Sequence, residues 1–372
     1  MTDLATAKVA VIPGDGVGPE VIEVASRLMV MAAAQAGVTL ETVEFPWGAA
    51  RHRQHGRALP ERAAQQLREF DAVLFGSFGD PDLPDHEVVG SLIELRKQLD
   101  LAANLRPVEK WPGIPTPFLD RIRADFLVVR ENTEGEYSGV GGRTRVTGVG
   151  DVAIAVAVHS ERTIAQLARY AFDLARGRRK ALTLVGKANA IYHAFSLWEE
   201  VVGKVALEFP DVAYDRSYVD AAAARMIQHP ESFDVVLCSN LFGDVLSEIG
   251  STLQGGLGTA ASANVATDGS RPGLFEPIHG SAPDLAGRGV ANPTGAILSA
   301  AMLLEHIGVA EAANHLRAAT RLALADEAAR TQDLGGSAST REFGDTVALA
   351  LKGDMIPGSP PQVPAAEAVS GT

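Results

Sequence analysis

The chain has a single cysteine, Cys238, so it can form no internal disulfide. Aromatic residues make up only 6% of it, and no apolar run approaches the ~18 residues needed to span a bilayer. A basic surface is missing too: 33 lysines and arginines against 46 acidic residues leave a formal net charge of -13. Nucleic acids and anionic membranes need a basic face, so both are excluded as partners. The opening residues, MTDLATAK, have no basic stretch followed by an apolar one, and no secretory signal is expected. With one cysteine and no such signal, a cytoplasmic setting is the expectation. Any anionic ligand must then be met by a local cluster of arginines.

The length is the first positive signal. At 372 residues and 46% hydrophobic content the chain exceeds what one core comfortably holds, so two lobes are expected. Apolar, β-branched runs (KVAVI at 8–12, AVLFGS at 72–77, FLVVR at 126–130, ALTLVG at 181–186, FDVVLCS at 233–239) alternate with amphipathic stretches such as 19–35 and 165–175. That alternation predicts an α/β fold with a mainly parallel sheet. Prolines in RPVEKWPGIPTPF (106–118) interrupt it and mark a crossing between lobes. The Gly-rich, then strand-like segment 139–158 reads as a hairpin, either an ordinary surface one or one that pairs with another subunit. Residues 353–372, rich in Pro, Ala and Gly and without periodicity, read as a disordered tail.

Several segments carry chemistry. IPGDGVGPEV (12–21) follows a strand and opens a helix, but its glycines are spaced G-x-G-x-G and miss the dinucleotide fingerprint G-x-G-x-x-G. Arg96 and Arg106 lie in SLIELRKQLDLAANLRPV, and Arg130 ends the strand FLVVR. Each reads as a surface ion pair or as a bidentate clamp for a carboxylate, and three together in an acidic chain favour the clamp. Tyr137 in RENTEGEYSG and Lys187 after ALTLVG are candidates for a proton donor and a base. Asp220 opens an Ala-rich helix, as an N-cap or as a ligand. Asp244 and Glu248 stand one helical turn apart in SNLFGDVLSEIGS, as half of a metal site or as the wet face of a helix. LFEPIHGSAPDLAGRGVANPTGAI (274–297) gathers Glu276, His279, Asp284 and Asn292 in a polar loop of the kind that binds ligands.

Taken together, from Lys8 to about Leu351, these segments resemble the β-decarboxylating dehydrogenases, the family of isocitrate, 3-isopropylmalate, homoisocitrate and tartrate/D-malate dehydrogenases. The resemblance implies the two-lobed α/β fold of isopropylmalate and isocitrate dehydrogenases, with a central mixed, mainly parallel sheet and no Rossmann glycine fingerprint. It implies a large cofactor-binding domain at 1–101 and 255–352 and a small substrate and dimerisation domain at 102–254. Arg96, Arg106 and Arg130 would hold the carboxylates of a malate-like core, and Tyr137 and Lys187 would be the catalytic acid and base. Asp220, Asp244 and Glu248 would bind Mg²⁺ or Mn²⁺, with Lys187 and Asp220 reaching in from the second subunit of a homodimer. The third acidic position is usually Asp in the family and here is Glu248. The cofactor would be NAD, held by Ile12, Glu276, His279, Gly280, Ser281, Ala282, Asp284 and Asn292, with the Asp284 carboxylate repelling a 2'-phosphate.

The implied reaction is oxidation of the substrate hydroxyl, loss of carbon dioxide with Lewis-acid help from the metal, and protonation of the enol carbon by Tyr137. RENTEGEYS, LPDH (83–86) and WGAARHRQHGRALP (47–60) look most like the tartrate/D-malate branch. Segment 90–96, which faces the variable substituent in that comparison, offers Ile93 and leucines to an apolar group as in 3-isopropylmalate dehydrogenase. Glu94 would weigh against isocitrate's extra carboxylate. The expected substrate is therefore D-malate or tartrate first, 3-isopropylmalate second. A non-catalytic partner subunit of the same family would be expected to lose a metal position or the lysine–tyrosine pair, and this chain keeps both.

Overall fold

The apolar runs become strands and the amphipathic stretches helices in a computed structural model that describes residues 6–118, 122–269 and 272–354. The expected tail falls outside these residues except for Gly353 and Asp354. The first part of the chain holds β1 (Thr6–Gly14), α1 (Gly18–Gln35), β2 (Thr39–Glu44), α2 (Ala49–His55), α3 (Ala63–Leu67), β3 (Ala72–Ser77) and α4 (Asp85–Gln98). The middle part holds β4 (Ala103–Glu109), β5 (Asp125–Glu131), β6 (Gly135–Val146), β7 (Gly150–Val158), α5 (Glu161–Arg176), β8 (Ala181–Gly186), α6 (Tyr192–Ala206), β9 (Ala213–Tyr218), α7 (Val219–Gln228), β10 (Val235–Cys238) and α8 (Asn240–Leu253). The last part adds β11 (Ala261–Val265), β12 (Gly273–Pro277), α9 (Thr294–His306), α10 (Ala310–Ala325) and α11 (Thr340–Lys352).

Ten strands form one sheet in the order β2-β1-β3-β12-β11-β4-β5-β10-β8-β9. Its outer pairs are all parallel, while β12–β11, β11–β4 and β4–β5 are antiparallel. This is the mixed, mainly parallel α/β sheet that the sequence predicts. The strand direction reverses at the centre, so the parallel strands on the two sides run in opposite senses. The two halves meet where β11 pairs with β4.

Over that seam the two faces of the sheet differ in chemistry, because side chains alternate along a strand. One face carries Asn104, Arg106, Arg130, Ser262, Asn264 and Glu276, all buried. Leu105, Leu127, Ala263 and Phe275 alternate with them and pack in the main apolar core. The crossing expected at 106–118 is corrected here: residues 106–109 belong to β4, in mid-sheet. β11 pairs with β4 only over residues 103–105, so Pro107, which has no N–H to give, lies past the end of that ladder.

Helix α8 is drawn tightly onto the polar face. Its buried positions include Gly243, Leu246, Ser247, Gly250 and Leu253, and the glycines let its backbone approach the strands. A Cβ at Gly243 would lie 2.6 Å from Arg130 Cβ, and one at Gly250 would lie 2.5 Å from Val108 Cγ2. The hairpin β6–β7 stands apart as its own two-stranded sheet and exposes Val140, Val146, Ile154, Val156 and Val158. No helix among the described residues is long and apolar enough to cross a membrane.

Gly243→Ala tests the close approach of α8. Alanine ordinarily gains ~1 kcal/mol in a helix interior, but the 2.6 Å contact forces a backbone shift costing ~1–3 kcal/mol. The expected result is a lower urea unfolding midpoint; a midpoint equal to or above that of the parent would show that α8 has room.

Candidate active site

Five segments meet over the seam. The last turn of α4 brings Arg96, β4 and β5 bring Arg106 and Arg130, β6 brings Tyr137, and α8 lays Asp244 across them. With Glu276, His279 and Gly280 these line a cavity of about 250 Å³, whose apolar wall is Val89, Leu92 and Ile93 of α4 with Phe75 and Phe78. Glu94 is not part of that wall. It is exposed and accepts a hydrogen bond from Gln98 at 3.1 Å, so its charge does not face the cavity, contrary to the expectation that it would oppose isocitrate's extra carboxylate.

Asp244 is the hub. Its Oδ1 lies 2.5 Å from Arg130 Nη1 and 3.2 Å from Arg106 Nη1, and its Oδ2 accepts from the Tyr137 hydroxyl at 3.0 Å. Asn240 Oδ1 accepts from Arg130 Nε and Nη2 at 3.0 and 2.8 Å. Arg106 donates to Asn104 Oδ1 and Ser247 Oγ at 2.8 and 2.7 Å. Glu276 accepts from Arg96 Nη2 at 2.5 Å and from Asn264 Nδ2 at 2.7 Å. Arg96 Nε is buried with no partner among the described residues, a free member of a planar donor fork.

Burial and proximity set the charges. Burial and the neighbouring Arg106 push the Arg130 guanidinium down from its ordinary range, against the pull of Asp244. Arg106 is likewise lowered by burial and held up by Asp244. Both stay protonated at neutral pH, as arginines do. Burial works against the Asp244 carboxylate, but Arg130 and Arg106 outweigh it and hold its pKa below the usual value. Burial raises the Glu248 pKa, and Arg106, 3.9 Å away, only partly offsets this. Burial and the Asp244 charge raise the Tyr137 pKa, so the phenol keeps its proton.

Asp244 and Glu248 offer two carboxylates one turn apart on α8, hard oxygen donors that suit a divalent cation. Among the described residues, however, no three His, Cys, Asp or Glu side chains stand close enough to hold a metal ion. Asp220 is elsewhere: Lys187 Nζ donates to its Oδ1 at 2.7 Å, with the Lys187 ammonium 5.6 Å from the Tyr218 ring centroid. Within one chain, Asp244 and Glu248 are therefore two carboxylates with no third metal-ligating side chain beside them among the described residues. Asp220 is also not an N-cap. Tyr218 caps α7, and Asp220 is the second residue of the helix, its side chain exposed and its pKa lowered by the Lys187 hydrogen bond.

The candidate cofactor residues divide. His279 and Gly280 line the cavity; burial lowers the His279 pKa and keeps the ring neutral. Ser281 fixes the loop, its carbonyl accepting from Val17 N at 2.8 Å, and Ala282 follows with φ +40°. At Gly16, φ is +60° and a Cβ would lie 1.9 Å from Ser281 O, so the two loops touch backbone to backbone. Asp284 is exposed; Arg288 reaches only its carbonyl oxygen, at 3.4 Å. The side chains of Ile12 and Asn292 do not line the cavity. Ile12 is wholly buried in a core beneath α4. Asn292 braces the start of α9, donating to Asp333 at 2.9 Å and accepting from Thr294 N at 3.0 Å.

Some residues of the site escaped the sequence reading. Asn240 and Ser247 lie in the very segment that holds Asp244, but nothing in their spacing shows that they face arginines. Lys97 follows Arg96 and donates to the carbonyls of Tyr137 and Ser138 at 2.8 and 3.0 Å. Asp15, between two of the glycines in the first loop, accepts from Ala49 N and Gly79 N at 2.8 and 3.1 Å and ties three loops together. Its place inside GDG was the only available signal.

A polar seam on which three arginines converge around a part-buried carboxylate suits a small polyanion. The chain belongs to the isocitrate/isopropylmalate dehydrogenase family, whose model matches residues 8–347. It is an oxidoreductase that acts on a CH–OH group with decarboxylation. It is 40% identical to a probable tartrate dehydrogenase/decarboxylase of Bacillus subtilis (strain 168), over 93% of this chain and 98% of that protein. It is 44% identical to the 3-isopropylmalate dehydrogenase of Nocardia farcinica (strain IFM 10152), over 92% of this chain and 100% of that protein. The crystal structure of isocitrate dehydrogenase from Methylococcus capsulatus superposes with a TM-score of 0.85 at 35% identity, over 93% of this chain and 99% of that one.

Asp244→Asn removes the anion that two buried arginines share, and the expected loss of stability is ~2 kcal/mol. That is less than the 3–5 of a fully enclosed pair, because the Asp244 side chain is a third exposed. The folded pKa of Asp244 is depressed, so its contribution is complete above the unfolded value near 3.8 and fades as pH falls through the folded value. Urea unfolding from pH 7 downward is expected to show a constant gap between parent and variant to about pH 5 and a shrinking one below pH 4. A gap that widens on acidification would refute the assignment.

Proposed function

We propose that the protein catalyses the NAD-dependent, divalent-metal-dependent oxidative decarboxylation of a malate-type 2-hydroxy acid, D-malate or tartrate first. The observation that carries this reading is the convergence of Arg96, Arg106 and Arg130 with the Tyr137–Asp244 pair in one small cavity. Three guanidinium groups face three carboxylates there: Asp244, Glu248 and Glu276. A divalent cation and a dicarboxylate entering together leave that balance unchanged, whereas either alone disturbs it. Asp244 and Glu248 would turn to the cation, Mg²⁺ or Mn²⁺, and the arginines they release would take the substrate carboxylates. The cation would polarise the substrate's oxygens as a Lewis acid, and NAD would accept the hydride.

The roles of the chain's own residues follow. Lys187, delivered by a second subunit, takes the proton of the substrate hydroxyl as hydride leaves the adjacent carbon. After carbon dioxide departs, Tyr137, whose proton is held by burial and by Asp244, returns a proton to carbon. Asp220 would complete the cation site from the same second subunit. What supports a homodimer is that Lys187 and Asp220 pair with each other at a place apart from the Asp244 cluster, and that hairpin β6–β7 leaves its valines uncovered.

NAD is favoured over its 2'-phosphorylated form by the exposed carboxylate of Asp284, which would repel a 2'-phosphate; Arg288 is nearby but reaches the Asp284 carbonyl oxygen, at 3.4 Å. Its binding would draw on the backbone near Ile12 and on Glu276, His279, Gly280, Ser281, Ala282, Asp284 and Asn292. The strand order supports a large lobe from 1–101 and 255–352 and a small one from 102–254, meeting at β11–β4. A cytoplasmic location fits the composition. 3-Isopropylmalate is the second reading, favoured by the apolar wall Val89, Leu92 and Ile93.

The direct test is NADH formation by the purified protein with Mn²⁺ or Mg²⁺ on D-malate, the tartrates, 3-isopropylmalate, isocitrate and homoisocitrate, with EDTA controls. Metal-dependent NADH with carbon dioxide release from D-malate or a tartrate is expected; turnover of 3-isopropylmalate alone moves the substrate to the second reading, and silence on the panel sinks both. The shared site has its own test. Lys187→Ala and Tyr137→Phe are each expected to be nearly inactive, while unfolding and refolding them together restores about a quarter of parental activity, because half the dimers are mixed and each mixed dimer has one intact site. No recovery would place Lys187 in its own chain's site or outside the chemistry.

A further inference from the structure

We infer that Lys97 is a positioning residue that ties Tyr137 across the gap between the two halves of the molecule, so that the proton donor is in place only while the halves are together. The inference rests on the reading of Tyr137 given above and goes on to name what holds it.

Lys97 and Tyr137 belong to different halves. α4 packs through Val88, Leu92 and Leu95 into a core with Ile12, Phe75 and Leu274 of β1, β3 and β12. Tyr137 is anchored on the other side of the seam, its hydroxyl on Asp244 of α8 and its ring 5.5 Å from the Arg130 guanidinium of β5. The Lys97 ammonium crosses between them and donates to Tyr137 O at 2.8 Å and to Ser138 O at 3.0 Å. Tyr137 is thus gripped at its hydroxyl by one half and at its backbone by the other.

The hairpin is irregular at the point where this grip falls. β6 and β7 pair at Gly135↔Val158 and resume only at Val140↔Val156, with the register shifted between them. Such a bulge leaves residues out of the ladder and re-aims their side chains. Tyr137 and Ser138 lie inside it, where the register with β7 shifts, and backbone carbonyls need donors. The Ser138 hydroxyl serves other backbone groups of the hairpin, donating to Val156 O at 2.8 Å and accepting from Val140 N at 3.3 Å. The two carbonyls instead receive a charged donor, and charge-assisted hydrogen bonds are about twice as strong as neutral ones. An ammonium with three donors can serve two carbonyls at once. Without it, the bulge can swing, and only the 3.0 Å bond to Asp244 and the Arg130 guanidinium over the ring would hold the phenol. Misplacement by about 1 Å is enough to slow a proton transfer ~100-fold.

The experiment compares Lys97→Met, Lys97→Arg and Tyr137→Phe with the parent on whichever hydroxy acid of the panel turns over fastest, in the steady state and in a stopped-flow first turnover. Lys97→Met is expected to lower kcat about 10- to 100-fold and KM along with it, because kcat/KM is set by the steps up to the loss of carbon dioxide, which precede the Tyr137 step. Hydride transfer precedes the Tyr137 step, so the first turnover should show a burst of about one NADH per site followed by the slow rate. Lys97→Arg, which still carries a charged donor, is expected to recover kcat to within about threefold of the parent. A kcat for Lys97→Met within twofold of the parent, beside a slow Tyr137→Phe, overturns this inference and leaves the functional reading standing. Loss of activity in Lys97→Met without a burst and without recovery in Lys97→Arg also overturns it, since general damage would explain both. Parental activity in Tyr137→Phe overturns the functional reading and this inference together.

Discussion

A carboxylate wedged between two buried guanidinium groups dictates much of what surrounds it. Arg106 and Arg130 are almost wholly enclosed, and a buried cation is tolerated only where opposite charge and hydrogen bonds replace water. Asp244 supplies the charge, and Asn240, Asn104 and Ser247 supply the remaining acceptors. Three of these four come from α8, so the helix has to lie close against β4 and β5. That closeness explains the glycines at 243 and 250, where side chains would strike Arg130 and Val108. It also explains why the central strands, which in a parallel sheet would be apolar on both faces, are polar on one.

The antiparallel seam has a chemical consequence. In an open parallel sheet, ligands gather at one carboxyl edge. Here strand direction reverses at the centre, and the ligand-facing groups come from both sides of the reversal: His279 and Gly280 after β12, Arg96 at the end of α4, Arg106 and Arg130 on the opposed strands, and Asp244 beyond β10. A site assembled from two halves opens or closes with any relative motion of the halves.

The sequence was legible where local chemistry decides. The runs at 72–77 and 181–186 are β3 and β8 to the residue, since β-branched apolar stretches bounded by breakers have few other fates. Helix α1 likewise spans the stretch that its apolar periodicity marks. The three arginines, Tyr137, Asp244, Glu276, His279 and Gly280 do converge. Reading failed where orientation mattered. Glu94 sits one residue from Ile93 yet points away, because neighbours on a helix face different directions. Nor does spacing show that the Ile12 side chain enters a core or that the Asn292 amide braces α9. Pro107, a strand breaker by habit, sits in mid-sheet because the neighbouring ladder ends before it.

By itself the sequence determined the fold class, the alternation of elements, the family, and the residue types gathered for anionic chemistry; these depend on composition and on spacing along the chain. Only the tertiary structure decided which carboxylate meets which arginine. It alone showed that the central strands present their polar face to α8, that Lys187 and Asp220 pair apart from the Asp244 cluster, and that Lys97 reaches the carbonyls of a bulge in another half of the molecule. Those are contacts between residues 33 to 180 positions apart, and no local pattern encodes them, because the energy that selects them is the cost of leaving a buried charge or carbonyl without a partner.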